Sequence, residues 1–475
     1  MFIKNISQLL LNTLDKSQLT LREIGLQALE KAIFAVKPKI LMEKALILQE
    51  KKLIIQNKEF NLQQINKIYI IGGGKATAEM ASSLESILLS LKDIDYEGII
   101  NIPEAYEGLE AFMDGKISVN YASHPIPNEN GIRGTKSMMK IIEKSKQNDL
   151  IFCLISGGGS SLLPLPKQGI KIKDLQIVNS LLLSSGASIQ EINVIRKHLS
   201  DFKGGNLAKK LYNSSKATLI SLIISDVVGD KLDTIASGPT VPDETTFKDA
   251  LEILKKYDLL TKIPSVVKFI LKKGLIDQSL ETPKSNDICF MNVHNYLIGS
   301  VASAVEELKS FFNIKGFEFE YFSNNIIGEA SEYGKYLVSR ISKDVKELIE
   351  YKKIERLALI GTGELTVTIK GKGIGGRNQE MLLSYLNNVK NKKIDYNFII
   401  IGANLDGIEG NSKAMGALID NPVVEQMISN NFDSEKFLAK NDSNTFFKKL
   451  GVEIITGATG CNVNDILLIL LTKKF

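Results

Sequence analysis

The stretch Ile68-Tyr-Ile-Ile-Gly-Gly-Gly-Lys75, running into Ala76-Thr-Ala-Glu-Met-Ala81, decides the fold class. A short apolar run closed by glycines and followed by helix-forming residues reads as strand, tight turn and helix. The same design returns at Ile151-Phe-Cys-Leu-Ile-Ser-Gly-Gly-Gly-Ser160. Glycine permits positive φ and lets an anion approach the backbone amides closely. A helix start beyond the turn adds unsatisfied N–H groups and the positive end of a dipole. Together these parts make an anion site. The candidates are Gly73 and Gly74, with Lys75 adding a full positive charge, and Ser156, Gly157, Gly158, Gly159 and Ser160. Two such sites suggest two anionic groups brought together. Read structurally, each loop is a tight connection. Neither fits the P-loop pattern, because Ala76 stands where Ser or Thr would meet magnesium, and neither carries the full dinucleotide fingerprint.

Outward from these loops, short apolar runs recur at Lys67–Ile71, Gly98–Ile102, Ile117–Tyr121, Leu150–Ile155 and Thr218–Ile224, several separated by helical patterns. This alternation predicts an α/β fold: a Rossmann-like N-terminal domain with a mainly parallel sheet. Ligands of such sheets bind beyond the carboxyl ends of the strands, where both glycine loops fall. Residues 1–50 show helical spacing without strand-like alternation. Polar residues and Pro283 break the pattern near Leu275–Ser285, which divides the chain into 1–280 and 281–475, the latter a second α/β domain. Its strand candidates are Ile288–Val293, Glu318–Phe322, Arg356–Ile360, Leu365–Ile369, Phe398–Ile401 and Val452–Thr456.

The 475 residues suffice for two or three domains with substantial cores. With 44% hydrophobic and 24% charged residues, the composition is that of a soluble enzyme. A net charge of +5 spread over many lysines gives no clustered basic face for nucleic acid. Cys153, Cys289 and Cys461 form no metal spacing and indicate no disulfide. No signal-peptide order is visible at the N-terminus. Ile466–Leu471 is too short to span a bilayer and reads as a buried strand. The expectation is a reduced, cytoplasmic protein with no membrane or nucleic-acid partner, for which a homodimer is one admissible assembly.

Three further constellations carry chemistry. Arg196-Lys-His-Leu-Ser-Asp-Phe-Lys-Gly-Gly205 sets Arg196, Lys197 and Lys203 near glycines, where they can meet phosphate or carboxylate. The alternative is a solvated helix face, and His198 reads as a structural histidine. Ser225-Asp-Val-Val-Gly-Asp230 follows a strong strand. Asp226 there can hold magnesium or accept a hydroxyl proton, while Asp230 is a second binding candidate or a turn residue. Gly373-Ile-Gly-Gly-Arg-Asn-Gln-Glu380 follows an apparent hairpin. Gly376, Arg377 and Asn378 open a helix, and a guanidinium suits a carboxylate or charge growing on a phosphoryl group. The alternative for Arg377 is a salt bridge to a neighbouring domain.

The combined motifs resemble the glycerate 2-kinase family, the MOFRL-type glycerate kinases once called hydroxypyruvate reductases. The match runs from about Ile70 to Asp465 through GGGKATAEMA, SHPIPNENG, LISGGGSSLLPLP, SGASIQEINVIRKHLSDFKGGNLA, ISDVVGDKLDTIASGPTVPD, GTGELTVTIKGKGIGGRNQE and TGATGCNVND, in that order. The resemblance implies ATP-dependent phosphorylation of D-glycerate at its 2-hydroxyl, with Mg2+, in an interdomain cleft. It places the family's functional lysine on Lys75, its arginine on Arg377 and its aspartate on Asp226. It assigns no set of metal ligands. The rival readings are a nicotinamide-dependent hydroxypyruvate reductase and a non-catalytic metabolite-binding protein. This chain departs from the family pattern at Leu405, Glu409 and Lys413, where threonine and two aspartates are usual, and at Asn128, Ala458 and Cys461.

Overall fold

Ile68, Tyr69, Ile70 and Ile71 are all buried, so the run is covered on both faces, the state of a strand inside a parallel sheet. The computed structural model describes residues 1–11, 16–91, 94–105, 115–352, 354–461 and 463–474. Two compact units emerge, Leu41–Ile298 and a second made of Met1–Ile40 with Gly299–Phe475.

The first unit begins with a three-stranded antiparallel meander, β1 (Leu46–Gln49), β2 (Lys52–Ile55) and β3 (Lys58–Asn61). Helical spacing over 1–50 does not anticipate β1. Four apolar-rich residues are too few to separate the two periods, and pairing with β2 settles the conformation. The main sheet comprises β4 (Lys67–Gly73), β5 (Asp95–Pro103), β6 (Ile117–Ala122), β7 (Leu150–Ile155), β8 (Thr218–Ile224) and β9 (Val293–Gly299). Their order is β6-β5-β4-β7-β8-β9, and the four pairings from β6 to β8 are parallel. All five runs expected in this domain are strands. The expected strand Ile288–Val293 is instead a 3-10 turn, Ile288–Phe290, with β9 starting at Val293. Ile288 is exposed, so its apolar character builds no strand face.

After β4 the chain builds β5 and β6 on one side, then crosses to place β7 and β8 on the other. Connections therefore leave β4 and β7 in opposite directions, opening a crevice at their carboxyl ends. One core packs Tyr69, Ile71, Ile151, Cys153 and Ile155 against Met138, Ile142, Phe202 and Leu207. Cys153 is wholly buried, and burial pushes its thiol up to about 12, as expected for an inert core residue. A second, helical cluster joins Val178, Leu182, Ile195 and Leu199 with Phe247, Leu254 and Leu271.

The second unit holds a mixed sheet of β10 (Glu318–Ile326), β11 (Arg356–Gly363), β12 (Tyr396–Asn404), β13 (Gly416–Asp420), β14 (Glu453–Ile454) and β15 (Asp465–Lys473). The order is β10-β11-β15-β12-β13-β14, and only β10–β11 is parallel. The predicted buried C-terminal strand is β15. The predicted strand Leu365–Ile369 is not formed. Thr366 makes one isolated bridge, to Glu329, whose carboxylate also takes the Thr368 amide. Ile369 is exposed, so alternation there builds no buried face.

The two compact units divide the chain elsewhere than at 280: the six-stranded sheet runs on to β9, and residues 1–40 cluster with the second unit. Helix Lys16–Ala35 packs on β12 and on helix Val301–Ile314. Within this helix Arg22 is wholly buried. Its Nε lies 2.8 Å from Asp420 Oδ2, and its Nη1 donates to Leu9 O at 2.5 Å. Gln18 adds bonds to Asn397 and Asn421 at 2.8 and 2.9 Å. Sequence spacing carries no trace of such partners, almost 400 residues away. No described helix is long and apolar enough to cross a membrane.

Candidate active site

At the carboxyl ends of β4 and β7 the two glycine loops touch each other. Lys75 N–H donates to Gly157 O at 2.9 Å, Ala76 N–H to Ser156 Oγ at 3.0 Å, and Gly74 N–H to Asn101 O at 3.3 Å. The first loop's amides are thus engaged by protein, and the charged group it carries is the half-buried Lys75 side chain. Ser156 is fully buried between the loops. Gly74 makes this contact feasible: with φ of 157°, an added Cβ would lie 2.1 Å from Ser156 Oγ. Gly74→Ala should separate the loops and cost about 1–3 kcal/mol, the range for overpacking. Urea denaturation checks this, and an unchanged midpoint would contradict the contact.

Beside the second loop lies a cavity of about 230 Å³. Gly158, Ser160, Arg196 and Lys203 line it, uniting four sequence candidates, whereas Ser156, Gly157 and Gly159 do not. Leu175, Val178, Leu182, Ile195 and Leu199 form its apolar wall. Arg196 is held by Asn179 Oδ1, 3.2 Å from Nε, and Lys203 Nζ donates to Leu163 O at 2.8 Å. Burial pushes the Lys203 ammonium down to about 7, and the Arg196 charge adds to the effect. Sequence reading missed Asn179 and His124, which also face the cavity. His124 follows β6 at the same sheet edge, a position the strand-end rule could have flagged. Asn179 interrupts the apolar face of helix Ile172–Ser184, a weaker signal. An added Cβ on Gly158 would lie 3.0 Å from His124 Cδ2 and 3.3 Å from Lys75 Cγ, so the lysine stem packs near Gly158 at the cavity's margin. The surrounding protein and the Lys75 charge hold the His124 imidazole below its ordinary pKa.

Neighbouring groups stabilise the frame. Lys197 is buried and pairs with Asp243 and Asp233, each at 3.3 Å. His198 is wholly buried between Val194 O and Glu281, as a structural histidine. Ser237 Oγ lies 3.1 Å from Ser160 Oγ. Ala236 and Ser237 both hold left-handed φ, 51° and 59°, a strain of about 1–3 kcal/mol each that marks functional loops. Asp226 is half-buried just past β8, the strand beside β7. Asp230 sits at φ 54° with its amide on Val227 O, the geometry of the turn residue weighed in the sequence.

In the second unit Arg377 opens helix Arg377–Val389, as predicted, with Gly376 as its N-cap. Its guanidinium grips Asp465 through Nε and Nη2 at 2.5 and 2.8 Å, and Nη1 meets Glu364 at 2.5 Å. Both carboxylates belong to the same unit, so the alternative of a salt bridge to a neighbouring domain is not what these bonds form. Glu409, almost fully buried, accepts from the amides of Asn378 and Gln379 at 2.9 and 3.0 Å. That carboxylate fixes the helix start from which Arg377 projects.

Residues 25–272 match the family model described as a domain of unknown function (DUF4147), and residues 357–465 match the MOFRL family. A glycerate 2-kinase of Pyrococcus horikoshii is 39% identical, the alignment covering 96% of this chain and 98% of the relative. A D-glycerate 2-kinase of Thermotoga maritima is 37% identical over 85% of this chain and 90% of its own. A crystal structure of glycerate kinase from Thermotoga maritima superposes with a TM-score of 0.79 at 34% identity, covering 95% of this chain and 99% of that one. The chain belongs to the glycerate 2-kinase family.

Its departures from the glycerate 2-kinase pattern have structural readings. Asn128 still N-caps helix Glu129–Lys144, its side chain accepting from Gly131 N–H at 3.0 Å, so it does an aspartate's work there. Glu409 reaches the helix start, and burial pushes its carboxyl up to about 7, with the Asp465 charge adding. An added Cβ at Gly376 would lie 2.5 Å from Glu409 Cδ, so glycine is required where the longer acid passes. Leu405 is fully buried, whereas Lys413 and Ala458 are exposed. Cys461 is buried, its thiol 3.5 Å from Ile33 O. Asn462 of the TGATGCNVND motif lies outside the described residues.

Proposed function

We propose that the protein transfers the γ-phosphoryl group of ATP to the 2-hydroxyl of D-glycerate. The hydroxyl oxygen bonds to phosphorus, the bond to the ADP oxygen breaks, and the hydroxyl proton leaves to Asp226 or water. The observation that carries this reading is the meeting of Lys75 with the second glycine loop at the sheet's switch point, beside a cation-lined cavity. Such transfer depends on positioning and on stabilising charge. Lys75 supplies charge at the transferring group. Asp226 polarises the acceptor hydroxyl or positions magnesium, and for Arg377 the family resemblance implies a part in the same reaction.

Magnesium bound with phosphates needs only one or two carboxylates beside phosphate oxygens and water. Asp226 past β8 is a donor of that kind. Among the described residues no cluster of three or more His, Cys, Asp or Glu forms a protein-only metal cage. The ion would neutralise phosphate charge. The engaged amides of the first glycine loop count against a nicotinamide-dinucleotide reductase, whose pyrophosphate needs such amides open.

A coupled ADP-release screen over glycerate, hydroxypyruvate, tartronate and lactate tests the reading, with hydride transfer to hydroxypyruvate measured in parallel. ADP release dependent on glycerate is expected. Hydride transfer without ADP release would replace the kinase by the reductase. Arg377→Lys adds a sharper check. Lysine keeps one charge but loses the planar fork that spans Asp465 and Glu364 and still presents donors. Turnover should fall at least about tenfold at saturating ATP and magnesium, the scale of one lost charge-assisted bond. Wild-type turnover and glycerate KM in the folded variant would reduce Arg377 to a salt-bridge partner.

A further inference from the structure

The cavity beside the second glycine loop has an unusual electrostatic make-up. Its titratable and charged lining residues are His124, Arg196 and Lys203, with no carboxylate among them. The described hydrogen bonds of Arg196 go to Asn179 and Asn193, and that of Lys203 goes to a main-chain carbonyl. No ion pair engages either cation among the described residues. The acids on the surrounding helices are occupied elsewhere. Asp174 caps its own helix at Lys171 N–H, and Glu191 pairs with Lys256. Lys197, the remaining cation of its helix end, is neutralised by Asp243 and Asp233. Two cations beside an apolar wall with no counter-charge are costly to hold, and an anion entering between them recovers that cost.

Size and charge select the anion. A space of about 230 Å³ is below the ~300–1,000 Å³ typical of pockets for drug-sized ligands, and a nucleoside triphosphate is larger still. A planar guanidinium matches a carboxylate bidentately. Arg196 and Lys203 together suit the single charge of a carboxylate rather than the several charges of a polyphosphate.

We propose that this cavity is the acceptor site, in which Arg196 and Lys203 bind the carboxylate of the 2-hydroxy acid while Gly158, with the Lys75 stem beside it, borders the remainder. The assignment rests on the kinase reading and adds which part of the substrate goes where. Carboxylate binding also draws a proton onto Lys203, since a nearby negative charge favours the ammonium form.

Arg196→Gln and Lys203→Met should each raise the glycerate KM roughly 10–100-fold, the scale of a charge-assisted hydrogen bond, with the ATP KM unchanged. A raised ATP KM with an unchanged glycerate KM would move the cavity to the nucleotide phosphates and overturn the assignment, as would no change in either. Wild-type calorimetry with a non-hydrolysable ATP analogue present supplies a readout independent of variant folding. At pH 8, titration with D-glycerate in two buffers of different ionisation heat should show net proton uptake, and the uncharged amide of the same acid should bind far more weakly. Zero uptake, or equal binding of acid and amide, would sink the proposal. If wild-type enzyme releases no ADP with any acid, the kinase reading fails by itself, and the same titrations still report whether a carboxylate occupies this cavity.

Discussion

Turnover of a Lys75→Ala enzyme is expected to fall by roughly 100-fold or more, the loss that follows removal of one preorganised charge contact to a developing anion. The lysine backbone ties the two glycine loops together, through the bond to Gly157 O. Alanine keeps that bond and suits the residues leading into helix Thr77–Leu89. The thermal midpoint should therefore stay near wild type while the rate collapses. Because the first loop's amides are engaged by Gly157, Ser156 and Asn101, no backbone donor stands ready to replace the lost ammonium. Coupled ADP release at saturating substrates, beside a melting curve, checks both halves of the expectation. A folded Lys75→Ala enzyme with near-normal turnover would remove this residue from the chemistry.

Asp420→Ala should destabilise the protein by about 3–5 kcal/mol, the penalty for leaving a buried charge without its partner. Arg22 is wholly buried, and Asp420 is the acid on its guanidinium. Asp420 also accepts from Val423 N–H at 3.1 Å and so caps helix Asn421–Ser429. Loss of that cap adds about 1 kcal/mol. Denaturant midpoints measure the total, and amide exchange in Lys16–Ala35 should accelerate, since Arg22 ties that helix to β13. The paired change Arg22→Met with Asp420→Leu should regain much of the loss, because apolar residues can replace a buried ion pair at little cost. A loss under about 1 kcal/mol in Asp420→Ala, the level of an exposed pair, would mean that the Arg22 charge is satisfied without Asp420.

The parallel sheet was legible because its strands are apolar throughout and each glycine loop ends one of them. Local pattern specifies such elements well. The same logic put Arg377 at a helix start, whereas the meeting of Gly158, Ser160, Arg196 and Lys203 at one cavity was not specified by any local pattern. What escaped depends on partners distant in the chain. Helix Lys16–Ala35 looks like any amphipathic helix, and only Asp420, Asn397 and Asn421 reveal where it belongs. Glycine turns announce amides able to bind anions, yet Ser156 and Gly157 come from the other loop to take them. Glu409 reads as a departure from the family pattern, although its carboxylate reaches the amides that start the Arg377 helix.

The place of β15 has a consequence for the order in which the protein is made. It is the strand latest in sequence, yet it lies between β11 and β12 and pairs with both. Leu41–Ile298 draws its whole sheet from strands already synthesised and can fold while translation continues. The other unit waits. Its opening helix emerges first, with its apolar face unpartnered, and β10–β11 and β12–β13 form ribbons whose inner edges stay open. Until residues 465–473 leave the ribosome, those edges are templates for pairing with other chains. A message truncated even slightly before Asp465 should yield a protein with one sound half and one adhesive half, and nascent chains of this length are natural clients for chaperones.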